Sequence, residues 1–225
     1  MAQTPEKLLA KAKLSESNGE LDKAVNYYER AAIFSLSFSE KESYTRDAER
    51  VASRISPERI VKVYEHLANK SEKPNEKSHY LLRGARRATS LNLRQLAQKL
   101  YKKSIKLEKN RNNYATAAKI CEEAGLIEAA VKLYTQCGMA DTASEVATKA
   151  KLDHLSVRAY EKAAKNAMPK DKADHFLKAA RLAMHNVMYK KSMRHYKSAI
   201  RHYKKMGDLE KAEAVAVESG LKKRT

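Results

Sequence analysis

Small and apolar residues recur along this chain with the three- and four-residue spacing of a single helix face, and the same face pattern returns about once per helical hairpin. Its unit is a small residue, a tyrosine four positions later and another small residue three beyond that. Ala24, Tyr28 and Ala31 form the first copy, and Ala97, Tyr101 and Ser104 another. Ala130, Tyr134 and Cys137, then Ser156, Tyr160 and Ala163, then Ser192, Tyr196 and Ala199 repeat it, with Ile60, Tyr64 and Leu67 as a looser copy. Successive tyrosines stand 36, 37, 33, 26 and 36 residues apart. Twelve residues ahead of each copy lies a further small residue: Ala12, Ala48, Ala85, Ala118, Ser144 or Ala180. Small residues on two neighbouring helices let them approach closely, and the tyrosine fills the space beside the contact. The implied unit is two antiparallel helices joined by a short turn. One such unit cannot bury its apolar face alone, so the copies must stack.

The pattern predicts helices near 4–17, 20–35, 39–54, 57–70, 75–90, 93–108, 111–124, 127–137, 140–150, 153–167, 171–187, 189–205 and 208–219. Strand-like alternation extends over no more than a few residues. The expected fold is all-α, a right-handed α-solenoid of about six antiparallel helical hairpins. It is read as a single helical-repeat domain over 1–225, with near-neutral hairpins at 1–70, basic hairpins at 71–137 and irregular basic helices at 138–225. Turn chemistry agrees: Asn18-Gly19, Gly125, Gly138 and Gly207-Asp208 fit helix stops, and Ser56-Pro57 fits a cap with a first-turn proline. Residues 71–76 and 168–172 are the expected loops, the tail from 221 is expected to fray, and the short interval before Tyr160 is expected to change the pitch of the stack.

Charge changes the picture. The net charge is +19, yet residues 1–60 hold ten Lys and Arg against ten Asp and Glu, so the whole excess lies beyond residue 60. Residues 81–111 carry ten basic side chains against Glu108 alone, and residues 189–205 carry seven with no acid. Core positions on these helices leave Arg83, Arg86 and Arg87, then Arg94, Lys99, Lys102, Lys103 and Lys106, and then Lys190, Lys191, Arg194, Lys197, Arg201 and Lys204 to project outward as candidate partner-binding residues.

Residues 20–32, ELDKAVNYYERAA, resemble the second helix of a tetratricopeptide repeat, with Gly19 as the turn before it and Ala12 at the small position of the first helix. Tryptophan is missing from every copy, and the prolines do not recur at each unit's end. A narrower resemblance, through residues 20–34 and 166–184, is to the soluble NSF attachment proteins. That resemblance implies an adaptor whose basic face holds an acidic coiled-coil bundle and whose carboxy-terminal region engages a hexameric ATPase. This chain is shorter, and the polar residues 15–20 stand where that family has an apolar membrane-attachment loop.

Nothing in the sequence proposes catalysis, a metal site or a cofactor. The seven histidines lie outside any zinc-binding helix motif, and His195 and His202, two helical turns apart, read as members of a solvated basic face. No glycine-rich phosphate loop occurs, and no small-molecule substrate is implied. Cys121 and Cys137 are too few for a disulfide framework and read as buried thiols, Cys137 in the repeat core. The start lacks the apolar stretch of a signal peptide and no run is long enough to span a membrane, so a cytoplasmic protein is expected. The composition then points to a non-enzymatic adaptor whose basic surface binds an acidic protein or helical bundle. RNA is the alternative, weakened by the lack of spare aromatics for base stacking, and an anionic membrane surface draws on the same lysines. A clamp for a peptide carboxy terminus, with His79 and Arg83 on the inner face, lacks a donor at Leu9. Phe34, Leu36 and Phe38 are expected to pack beneath the next hairpin, or else to form a small exposed apolar patch.

Overall fold

The computed structural model describes residues 4–222 and contains thirteen helices and no strand among them. They are α1 (Pro5–Ser17), α2 (Leu21–Phe34), α3 (Phe38–Ala52), α4 (Pro57–Lys70), α5 (Pro74–Ser90), α6 (Arg94–Asn110), α7 (Tyr114–Glu123), α8 (Ile127–Gln136), α9 (Ala140–Lys149), α10 (Asp153–Asn166), α11 (Pro169–His185), α12 (Tyr189–Lys205) and α13 (Leu209–Glu218). The helices therefore form six consecutive pairs and one further helix. The tail residues 223–225 lie outside the described residues.

The chain divides into two compact units, Met1–Asn112 and Asn113–Thr225. In the first, α1 packs on α2, α2 on α3 and α4, α4 on α5, and α5 on α6. In the second, α7 to α13 pack each on the next, and α10 also touches α8. Each unit is thus a succession of packed helical hairpins.

The small-residue rule holds at the packing level. Ala12, Ala48, Ala85, Ala118 and Ala180 are fully buried and Ser144 nearly so. Tyr28, Tyr64, Tyr101, Tyr134, Tyr160 and Tyr196 are buried beside them, with Ala24, Ala31, Ala97, Ser104 and Ala130. A very close approach occurs at Gly84 in α5, where an added Cβ would stand 2.8 Å from Tyr64 Cβ and 3.0 Å from Leu100 Cδ1. In the second unit Ala180, Tyr196, Ala199 and Tyr203 join Ala212 and Val215 of α13 in one apolar cluster. Val157 and Tyr160 join Ala140, Ala179 and Ala183 in another.

Three expectations are corrected. Cys137 is exposed, because α8 ends one residue before it and the helical period no longer turns it inward; Thr135 is buried in that last turn. Ala163 is half-buried, and Ala164 takes the fully buried place. Leu36 is 98% exposed with Phe34 and Phe38 each about half exposed, so the patch reading describes this turn better than packing beneath α3.

Most turns use one device. The second residue past the helix adopts a left-handed conformation, and the next residue's N–H reaches back to the carbonyl five residues earlier. Glu20 N–H to Ser15 O (2.9 Å), Leu93 to Ala88 (2.8 Å), Leu126 to Cys121 (2.8 Å), Met139 to Tyr134 (2.9 Å), Leu152 to Ala147 (2.9 Å) and Met188 to Ala183 (2.7 Å) are copies. The left-handed position is glycine in some copies, but Asn92, Lys151 and Val187 in others. Val187, with φ of 59°, places a β-branched side chain where Cβ crowds the following carbonyl.

Two stability changes follow. Gly84→Ala should destabilise by about 1–3 kcal/mol in denaturant titration, the overpacking against Tyr64 outweighing alanine's better helix propensity. Val187→Gly should raise stability by about 1 kcal/mol, because the exposed side chain loses strain and no core contact. An unchanged midpoint for either would contradict the corresponding geometry.

Candidate interaction surface

Each repeat tyrosine buries its ring but keeps a polar tip, so its hydroxyl needs an acceptor. For Tyr28, Tyr64, Tyr134, Tyr160 and Tyr196 a neighbouring helix supplies a carboxylate. Tyr28 donates to Glu16 at 3.2 Å, Tyr64 to Glu49 at 2.5 Å, Tyr134 to Glu122 at 3.3 Å and Tyr196 to Glu218 at 2.9 Å. Tyr160 and Tyr203 donate to Asp141 and Asp174. Burial, reinforced by these carboxylates, pushes the phenols of Tyr28, Tyr134 and Tyr196 up to about 12.

Several of these acids also hold a cation from the matching helix of the neighbouring hairpin. Arg50 of α3 pairs with Glu16 of α1 at 2.6 Å, Arg87 of α5 with Glu49 of α3, Lys178 of α11 with Asp141 of α9 at 2.6 Å, and Arg181 of α11 with Glu218 of α13 at 2.7 Å. These cations hold the carboxyls of Glu16, Asp141 and Glu218 below their usual range. The second helices of the hairpins are linked likewise. Buried Glu29 of α2 takes Arg59 at 2.8 Å and His66 at 2.5 Å from α4, and Glu65 of α4 takes Lys99 at 2.9 Å and Lys103 at 2.6 Å from α6.

This ladder re-sorts the candidate basic residues. Arg83 does not project away: it pairs with Glu42, and its guanidinium lies 5.2 Å from the centre of the Tyr64 ring. Arg87 and Lys103 are likewise engaged with Glu49 and Glu65. The acid-poor stretch 81–111 is thus answered in space by carboxylates from α3 and α4. Arg86 lines the same groove as Glu42, Glu49 and His79. The imagined carboxylate clamp already holds a carboxylate of this chain, since His79 Nε2 lies 3.1 Å from Glu42. Arg94, Lys102 and Lys106 of α6 are exposed, and no ion pair involves them among the described residues.

Helix α12 differs. Lys190, Arg194, Lys197, Arg201 and Lys204 are all exposed, and none has an ion pair among the described residues. Their spacing of four, three, four and three residues keeps them within one narrow stripe, about 21 Å long at the helical rise. Ser192, Tyr196, Ala199 and Tyr203 occupy the opposite, buried face. Lys191 leaves the stripe to pair with Glu161 of α10 at 3.3 Å. His195 is not solvated: it is 5% exposed, with Nε2 2.8 Å from the same Glu161. Phe176 of α11 stacks near-parallel to both His195 and the half-buried His202.

Glu161 also ties α12 to α10, where a second stripe was missed in the sequence. Arg158, Lys162 and Lys165 are exposed at four- and three-residue spacing, and no ion pair involves them among the described residues. Their signal was present in the helical period, with Leu155 and Ala159 marking the covered side. The segment is not acid-free, because Asp153 and Glu161 share the helix, and this masks the stripe in the composition. Among the described residues no three His, Cys, Asp or Glu side chains are grouped to hold a metal ion, and no helix is long and apolar enough to cross a membrane.

No protein-family profile matches the sequence, and no curated protein matches it. Solved structures of helical-repeat proteins are similar at low identity. The TPR2AB domain of yeast Sti1, in a complex with a pHSP90 segment, is 11% identical, with 96% of each chain covered and a TM-score of 0.33. The MamA protein is 13% identical over 93% of this chain and 97% of its own, with a TM-score of 0.31. The Rap conjugation gene regulator of plasmid pLS20, in complex with the Phr* peptide, is 12% identical over 96% of this chain and 73% of its own, also with a TM-score of 0.31. The fold assignment rests on this chain's own helix order and packing.

Burial holds the His195 ring neutral below its ordinary titration range, against the pull of Glu161 and with the aid of Lys191 and Arg194, and His202 is shifted in the same direction. The unfolded chain therefore takes up these protons first as pH falls, so the stability contributed by the neutral rings is complete above about pH 6.5 and declines below it. The urea midpoint should be lower at pH 5.5 than at pH 7.5, and His195→Gln should narrow that difference. An equal difference in the variant would contradict the burial argument.

Proposed function

We propose that this protein is a non-catalytic adaptor that holds an acidic protein segment against the outward faces of α10 and α12. The observation that carries the reading is the α12 stripe, whose five cations have no ion pair among the described residues, while many cations elsewhere do. A row of unpaired charge on a rigid helix repels itself, and an approaching row of carboxylates relieves that repulsion while fixing register. An acidic helix presents carboxylates at the same four- and three-residue spacing. An acidic helical bundle, the partner class that the attachment-protein resemblance implies, has this geometry.

Nucleic acid is disfavoured on the same surface. Tyr196 and Tyr203 are buried with their hydroxyls engaged, which leaves Tyr189, at the very start of α12, as the exposed ring of that helix. A stacking platform for bases is therefore missing from the stripe.

The test uses the full chain and a fluorescent helical peptide with Glu at the matching spacing and Ser, Ala and Gln elsewhere. It should bind with an affinity that falls as salt rises. The combined variant Lys190→Glu, Arg194→Glu, Lys197→Glu and Arg201→Glu should weaken binding about tenfold or more with the melting transition retained. Equal binding by that variant would overturn the proposal, and single-stranded RNA displacing the peptide at equal charge concentration would replace it with the nucleic-acid reading.

A further inference from the structure

Beside the α10 stripe lies a groove of about 720 Å³ between α8 and α10. Leu126, Ile127, Val131 and Leu155 supply apolar surface, and Ala159 is small enough to leave the space open. Leu126 is held by its own turn: its N–H is bound to Cys121 O at 2.8 Å, and the residue is 42% exposed. Lys132, Arg158 and Lys162 stand around this floor, exposed and without an ion pair among the described residues, against Glu128 alone.

We infer that this groove seats the aliphatic side chains of an acidic amphipathic protein segment, a specificity subsite that rests on the acidic-partner reading above. Two features select that occupant. The floor is aliphatic and no aromatic ring lines the groove, so a nucleobase has nothing to stack on. The rim is cationic, which an uncharged apolar ligand does not need and carboxylates flanking leucines do. Arg158 and Lys162 belong both to this rim and to the outward stripe of α10. A segment lying along that stripe can therefore lower apolar side chains into the groove without leaving its cations. Charge supplies approach and register, and the groove distinguishes an amphipathic acidic segment from a merely acidic one.

Two fluorescent peptides of equal charge test this on the full chain, one with a pair of leucines four residues apart among Asp and Glu, the other with serines in their place. The leucine peptide should bind about tenfold more tightly, and Leu126→Ser with Ile127→Ser should abolish that preference while leaving the serine peptide unaffected. A photoreactive leucine in the peptide should cross-link to α8 and α10 in the unaltered protein, which keeps the test independent of any variant's folding. Equal affinity for both peptides, or cross-links confined to α12, overturns the groove while leaving the cationic surface intact. A leucine preference that survives charge reversal on α12 supports the groove even where the α12 proposal fails. Binding of neither peptide overturns both.

Discussion

Close approach of helices at small residues is the constraint from which the rest of this structure follows. An alanine on each side of a contact brings two backbones together, and the nearest large side chain must then lie beside the contact rather than within it. Tyrosine fits because its ring completes the apolar fill and its hydroxyl reaches the edge of the hairpin. There it meets a carboxylate of a neighbouring helix, and that carboxylate is frequently within reach of a cation on another helix. Gly84, against Tyr64 and Leu100, is the limiting case of the same rule.

The consequence for charge is that proximity along the sequence misleads. Arg83, Arg87 and Lys103 stand in stretches almost without acids, yet each meets a carboxylate about one hairpin earlier: Glu42, Glu49 and Glu65. The near-neutral balance of the first sixty residues is put to use, because several of its acids pair with the helices that follow. Exposed ion pairs of this kind contribute little energy individually. Their effect is to use up charge that would otherwise face a partner, which makes the unpaired stripe of α12 stand out.

Much of the fold was legible in the sequence because its signals are local. Helical period, small-residue spacing and glycine stops placed all thirteen helices within a few residues. The misreadings share one physical origin, dependence on where a neighbouring element stops or stands. Cys137 follows the spacing rule, but α8 ends just before it. His195 sits among lysines in sequence but turns towards Glu161 and the Phe176 ring. The α8–α10 groove was invisible because its floor is assembled from residues about thirty apart, none unusual within its own helix. The α10 stripe was legible and was hidden only by acids on other faces of that helix.

Helix α13 is held differently from every pair before it. Ala212 and Val215 are its buried residues, and it covers the outer side of the α11–α12 cluster with no hairpin partner of its own. With so little apolar area to release, its opening free energy lies near the low end of the range within such a unit. Its amide protons are therefore expected to exchange ahead of those in α11 and α12. Displacing this helix would remove Glu218 from both Arg181 and Tyr196 and so add one unpaired cation to the unit. The seating of one short helix thereby decides whether Arg181 counts among the paired or the unpaired cations of this unit.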